Sequence, residues 1–597
     1  MLMGRQDRFR ARPFQYCRLG DGSALVRPLG QREQVIPSGV IEYLRRCTQF
    51  NTLPGHIANL YRLSSHVDDN TGRVGAILKE CVKRGFLVSE AELYTHGSAD
   101  NSSRQSVSTI AIITAHRFAE CLQAVKGIVC MSREAGRRLD LVIMDDSCPR
   151  SKPLEHLLPH LQAIDTHGAI RYAGRIERER YATALSKRGF DPELAQFAVL
   201  GGVRRFTTTV GSTRNCVLLD TLGKSIVMTD DDIVLRTARH PQYSGRLRIL
   251  CDQNPRDFWF FRNRREVIEE LSWSSANIFA EHEAMLGAPI TRLLRDAERT
   301  DGVCFEDTCD HLLSGLLSDT ATVAMTATGI AGDSGFGFAP WFLSSEGRTR
   351  DRLLGSESVY STATTSRETL GVACSPTVNH SCWCMAGSIG LDNRVNLPPF
   401  LPIARSEDWV FGTLLFKCFP HYFTGHIPLA VLHNSNRLNY YDAAPMIRVG
   451  DLIRYLVHSF GPPHGTNGFV KLRLFGRLLR DLSMLPVYDL CKHLGDVVRE
   501  QQTRRIQEVE KMLTFSDTPN YWRRDLQEWQ RRMSALLADP LCFIPAELRA
   551  RSAGRAAITN TRQLLHRTGR LFYSWPDLVD ASAEMKQQGY QICLSIM

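Results

Sequence analysis

The sequence predicts an α/β fold with a largely parallel sheet at its centre and mostly helical segments on either side. Two observations carry this expectation. Short β-branched apolar runs alternate with helical stripes from Thr109 onward, and the runs at 140–146 and 225–232 end in clustered acids. Strands that alternate with helices pair in parallel and leave ligands at their carboxyl ends.

Residues 1–103 read as a mostly helical module. Its TGRVGAILKECVKRGFLVSEAEL stretch gives a helix and a short apolar run, the pattern of a small winged-helix-like unit. Such a unit could bind a peptide or protein acceptor, or serve as a packing or homodimerisation domain. The polar stretch EAELYTHGSADNSSRQS then reads as a linker.

The α/β pattern covers 104–445, divided into 104–250, a helical insertion at 251–300, and 301–445. Thr109 to Thr114 is long enough for a strand buried on both faces. Phe118, Cys121, Leu122 and Val125 follow at helical spacing, and Gly127 can end that helix in a left-handed cap. LDLVIMDDS is a second strand. Leu154, Leu157, Leu158 and Leu161 form another helical stripe, which Pro159 should kink or split. AIRYAG, from Ala169, is a third strand. TRNCVLLDTLG reads as a helix stopping at Gly223, and SIVMTDDD as a strand running into three acids. The insertion carries the aromatic, Arg-rich DFWFFRNRREV, and 446–597 reads as a charged helical domain.

At 597 residues the chain exceeds one ordinary core and should hold several domains. Its 43% apolar and 23% charged residues are those of a globular chain, and no apolar run approaches a membrane span. The opening MLMGRQDRFRARPF is charged where a secretory signal needs an apolar stretch. The 17 Cys residues are scattered, which suits a reducing cytoplasm. The net charge of +10 is spread along the chain without a Lys/Arg block. That speaks against a nucleic-acid partner and gives weak support to a small anionic substrate.

The chemistry starts at SIVMTDDD. Alternate side chains of a strand share a face, so Asp230 and Asp232 should lie on one side and Asp231 on the other. Two carboxylates at a strand end make a hard oxygen site suited to Mg²⁺ or Mn²⁺, and a solvated acidic turn is the bland alternative. Such an ion takes further ligands from substrate phosphates and neutralises a departing diphosphate. On the carboxyl side, LPPFLPIARSEDWVFGTLLF offers Ser406 as a helix N-cap, with Val410, Phe411, Leu414 and Leu415 as an apolar stripe. Glu407 and Asp408 then fall in the first turn, where the helix dipole favours ionised carboxylates. A base kept ionised there could take a proton from an acceptor hydroxyl. IPLAVLHNSN contains a strand ending near His433.

GSTRNCVLLDTLGKSIVMTDDDIVL resembles the segment of GT-A glycosyltransferases in which an Arg-Asn pair starts a helix leading into the DxD strand. LDLVIMDDS resembles the second strand of that fold, whose terminal acid contacts the nucleotide base. TIAIITAHR resembles the first, which also borders the base. The Glu-Asp pair resembles the acceptor-side motif of the large bacterial family-2-like inverting group. These motifs span about Thr109 to Asn434.

The resemblance implies a GT-A-type, Rossmann-like nucleotide-sugar-binding domain, with 104–250 as its donor-nucleotide half and 301–445 as its acceptor half. It implies a donor site of Thr114, His116, Arg117, Asp145, Asp146, Arg214, Asp230 and Asp231, in which either Asp145 or Asp146 contacts the base. Asp230 and Asp232 become the metal and diphosphate residues. His433 completes the metal shell, although a structural histidine is an equal expectation. Asp408 becomes the general base of an inverting transfer, with Glu407 beside it. The expected activity is metal-dependent transfer of a sugar from a nucleotide-sugar donor to a peptide, glycan or small-molecule acceptor.

Two other classes stay open. A nucleotidyl- or phosphoryl-transferase could use the same acids, but the sequence has no Gly-rich, Lys-containing phosphate loop. A non-catalytic scaffold with a degenerate transferase domain is the other. Gly332-Asp333-Ser334-Gly335 with His116 suggests a serine protease, but the Gly-Pro continuation is missing. That segment reads better as a loop near the sugar or acceptor. Cys374, His380, Cys382 and Cys384 lack the spacing of a familiar zinc site and read as buried free cysteines.

Overall fold

A computed structural model describes residues 7–62, 71–95, 106–202, 208–336, 341–435, 447–461, 467–550, 552 and 554–596. Most of the expected linker and the boundaries at 103/104 and 445/446 lie outside them.

The fold is mixed α/β around a large sheet. Its central strands and the helices that matter below are β1 Thr109–Thr114, α1 Phe118–Glu134, β2 Asp140–Asp145, β3 Ile170–Ala173, α2 Val210–Asp220, β4 Ser225–Asp230, β5 Thr322–Asp333, β6 Ser388–Asp392, α3 Glu407–Cys418, β7 Tyr422–His433, α4 Val449–Ser459, α5 Val487–Leu513 and α6 Asn520–Ala538. The strand order is β3-β2-β1-β4-β6-β5-β7, continuing through Thr377–His380 and Leu247–Cys251 to Val303–Phe305. β3, β2, β1 and β4 are mutually parallel, β5 is parallel to β7, and β6 opposes both β4 and β5. Thr114 pairs in register with Asp145, and Asp230 with Ile113, so these strands deliver their carboxyl ends to one edge.

Every residue of β1 is buried, which explains its unbroken apolar run. Alternation then decides the layers. Ala111, Ile113, Val142 and Met144 pack with Val217 and Leu218 of α2, while Ile110, Ile112, Leu141 and Ile143 pack with Val125 and Ile128 of α1.

The C-terminal helices do not form a core of their own. Leu472, Phe475, Leu565, Phe572 and Trp575 belong to the same apolar cluster as Ala111 and Val410. Helices Gly468–Met484 and Gly554–Gln587 cross at Gly476 and Gly569, where a β-carbon on either residue would sit 2.4–2.7 Å from backbone of the other helix. Leu594 returns to pair with Tyr172 of β3.

Several local expectations change. α1 continues through Gly127 to Glu134, because apolar residues Ile128, Val129 and Met131 still have a core to bury against. Helix Pro153–Gln162 holds Pro159 as a single element and ends three residues beyond it. The aromatic segment of the 251–300 insertion is a strand, Arg256–Phe261, paired with Glu368–Ala373, and three helices follow it. The N-terminal module has the expected helices but also two small three-stranded sheets, whose strands are too short to announce themselves by period.

Candidate functional site

A cavity of about 1160 Å³ opens at the carboxyl ends of β1 and β4. Its walls bring together nearly all of the residues singled out above: Thr114, Arg117, Asp146, Arg214, Asp230, Asp231, Asp232, Glu407, Asp408 and His433 all line it. Asp145 and His116 do not. Asp145 is fully buried, accepting from the Ser147 amide at 2.7 Å and the Tyr172 hydroxyl at 3.0 Å, and burial raises its pKa. It holds the turn, and Asp146 is the acid that faces the cavity. His116 adopts a left-handed φ of 57°, and its Nε2 accepts from the Cys148 amide at 3.2 Å.

The three acids fan out. β4 ends at Asp230, so strand alternation no longer governs Asp231 and Asp232. Arg214 Nη2 donates to Asp230 Oδ1 at 2.8 Å. Asp231 accepts from Thr114 Oγ1 at 2.7 Å and from Arg117 Nη1 at 3.0 Å, and the same nitrogen donates to Asp232 Oδ2 at 2.6 Å. Arg117 thus bridges Asp231 and Asp232, and Asp230 and Asp232 both line the cavity. His433 Nδ1 donates to the Asp333 carbonyl at 2.7 Å, which aims Nε2 at Asp232 Oδ1, 3.5 Å away.

Charge follows this geometry. Burial raises the pKa of Asp230 against the pull of Arg214, and pushes Asp231 up to about 6. Burial also works against ionised Asp232, but His433 and Arg117 prevail and hold it below the usual carboxylate range. For His433, burial acts downward and Asp232 overcomes it, so the imidazole is raised.

Arg214 also joins the two halves of the site. It lies in α2, is buried, donates from Nη1 to the Ala386 carbonyl at 3.0 Å, and places Nε 3.4 Å from Glu407. Asp408 accepts from the Ala386 amide at 3.2 Å and from its own helix at Trp409 N, 2.8 Å. Burial, then the neighbouring Asp408, pushes Glu407 up to about 7, and burial raises Asp408. Ser406 occupies the expected N-cap position, but with a left-handed φ of 67° and no side-chain cap bond.

The sequence alone did not point to the residues that surround these acids. Arg175 and Arg178 donate to Asp146 Oδ1 at 2.7 and 2.9 Å, and Thr209 donates to Oδ2. On the carboxyl side, Trp383 and Trp409 lie 4.7 Å apart, with Arg454 of α4 4.7 Å from the Trp409 ring. Phe336, from the Gly-rich segment, stacks on Trp341 at 4.1 Å. Val509, Met512 and Trp529 of α5 and α6 close the cavity. These residues come from distant segments with no shared motif; only the aromatic content of 336–409 hinted at them.

Carboxylate oxygens are the chemistry that Mg²⁺ or Mn²⁺ prefers. Among the described residues, no group of three or more His, Cys, Asp or Glu is arranged to hold a metal ion. Arg214 takes one oxygen of Asp230 and Arg117 one of Asp232, while the other Asp232 oxygen faces His433. Among the described residues, no helix is long and apolar enough to cross a membrane. Comparison with protein-family models, with curated proteins and with solved structures finds no match to this chain.

Proposed function

We propose that the chain is a metal-dependent glycosyltransferase that moves a sugar from a nucleotide-sugar donor to an acceptor hydroxyl. One observation carries the reading: Arg214 ties Asp230, at the end of β4, to Glu407, at the start of α3, across a single cavity. Donor-side and acceptor-side acids therefore face the same space. The strand order, with one opposed strand after β4, suits the GT-A-type expectation.

In this reading Asp146, held by Arg175 and Arg178, borders the nucleotide base. Asp230, Asp232 and His433 are the groups that would hold Mn²⁺ or Mg²⁺, and the bound ion supplies charge neutralisation for the leaving diphosphate. Arg117 and Arg214 add fixed positive charge beside the same leaving group. Asp408 takes the proton from the acceptor hydroxyl as it attacks the anomeric carbon, which inverts that centre. The Trp383–Trp409 pair and Phe336–Trp341 stack offer flat apolar faces to a sugar ring or an apolar peptide side chain.

The test is a thermal-shift and calorimetry screen of nucleoside-diphosphate sugars with and without Mn²⁺. Wild type should bind one donor saturably and with metal, and a folded Asp230→Ala/Asp232→Ala variant should not. A panel that binds neither would leave the proposal without its donor site.

A further inference from the structure

A second cluster of reactive groups lies where strand Leu247–Cys251 meets helix Asp310–Leu317. Strand pairing sets Cys251 opposite His380. Cys309 is the N-cap of the helix, and its sulfur accepts from the Leu312 amide at 3.4 Å. The Cys251 thiol donates to the Cys309 sulfur at 3.0 Å, and the Cys309 amide donates back to the Cys251 sulfur at 3.3 Å. His380 is buried between Phe416 and Phe423, with Nδ1 3.7 Å from the Cys309 sulfur and Nε2 without a hydrogen-bond partner. A proton on Nδ1 therefore aims an N–H at that sulfur.

Two donors, the Cys251 thiol and the Leu312 amide, thus converge on Cys309, and a proton on His380 Nδ1 adds a third, the surroundings that favour a thiolate. The hydrogen bond from Cys251 draws the Cys309 pKa down, and the same contact drives that of Cys251 up. Cys309 is partly exposed and Cys251 is buried, so a reagent meets Cys309 first.

We propose that these residues form a peroxide-reactive thiol pair, with Cys309 as the attacking thiolate and Cys251 as the resolving thiol. The Cys309 sulfur attacks one oxygen of hydrogen peroxide. The O–O bond breaks, Cys309 becomes a sulfenic acid, and hydroxide leaves. The Cys251 sulfur then attacks the Cys309 sulfur and the S–O bond breaks. The thiol proton leaves with the hydroxyl as water, and a disulfide forms. Bonding requires the sulfurs to close to about 2.05 Å. An external dithiol reverses it by exchange.

The crosslink would form beside the loop that the N-terminal module grips. Arg10 donates to the Thr308 carbonyl at 2.8 Å. Gln49 donates to Asp307 at 2.7 Å and accepts from the Thr308 amide at 2.9 Å. Oxidation would fix that loop to the sheet and so alter how the module docks.

The experiment uses the full chain. Iodoacetamide labelling at pH 6, read by peptide mass spectrometry, compares Cys309 with the exposed Cys17, Cys130 and Cys148. Cys309 should label at least about tenfold faster than these internal controls. Stoichiometric peroxide should then yield a Cys251–Cys309 linked peptide in wild type. Cys251→Ser should stop at a sulfenic acid that dimedone traps on Cys309, and Cys309→Ser should give neither product. Labelling of Cys309 no faster than the controls would overturn the proposal. So would the absence of the linked peptide, or stoichiometric zinc that protects both cysteines.

Discussion

Arg214 reaches out of a buried helix to hold Asp230 at 2.8 Å. The side chain is 3% exposed, and its remaining contacts are the Ala386 carbonyl, Glu407 and the face of Phe400. Removing the cation strands the buried Glu407 on one side and the half-buried Asp230 on the other. Arg214→Met should therefore lose about 3 kcal/mol of stability, measured by urea unfolding. Arg214→Lys keeps the charge without the fork and should fall between the two. A variant as stable as wild type would mean that Asp230 and Glu407 are held by other groups.

In the proposed transfer, Asp408 should act on chemistry and not on donor binding. Asp408→Asn should reduce kcat by about a hundredfold to ten-thousandfold, the range for a lost general base. Donor affinity by calorimetry should stay within error of wild type. Equal losses in both would place Asp408 on the donor.

Glu407 makes stability depend on pH. Burial pushes it from an ordinary 4.5 up to about 7, so between those values the native state binds more protons than the unfolded chain. Its contribution is complete below about pH 4.5 and fades as pH rises to about 7. Asp231, pushed up to about 6, acts in the same direction. Urea midpoints from pH 4 to 8 should therefore fall less steeply in Glu407→Gln than in wild type. Parallel curves would show that Glu407 ionises normally.

Arg117 competes with any cation for Asp232. One of its nitrogens serves both Asp231 and Asp232, so Arg117→Met removes two charged hydrogen bonds at once. In chelator the variant should be about 1.5–3 kcal/mol less stable than wild type. Added Mn²⁺ should raise its melting temperature more than it raises that of wild type. An equal shift in both proteins would argue against a cation at these carboxylates.

How much of this was legible follows from the range of each interaction. β1, β2, β3 and β4 were readable because both of their faces are buried and their apolar runs are uninterrupted. The acids at their ends were readable because each sits a few residues from its strand. Which acid faces the cavity was not. Asp145 and Asp146 are adjacent, and only Tyr172 on one side and Arg175 and Arg178 on the other distinguish them. The Trp409 and Arg454 contact joins helices with no common motif. The strand Arg256–Phe261 escaped because its partner, Glu368–Ala373, lies beyond a hundred intervening residues, and local period says nothing of such pairing.

The pairing of residues 594 and 595 with β3 has a consequence for synthesis. The Cys593 amide donates to Asp220, 373 residues earlier, and Leu594 pairs with Tyr172. β3 thus emerges from a ribosome well before the segment that covers its outer edge. Closing so long a loop has only a modest entropic cost, since that cost grows logarithmically with length. The delay is one of time: until Leu594 and Ser595 have been made, β3 is an open edge available to other strands, including those of a neighbouring nascent copy.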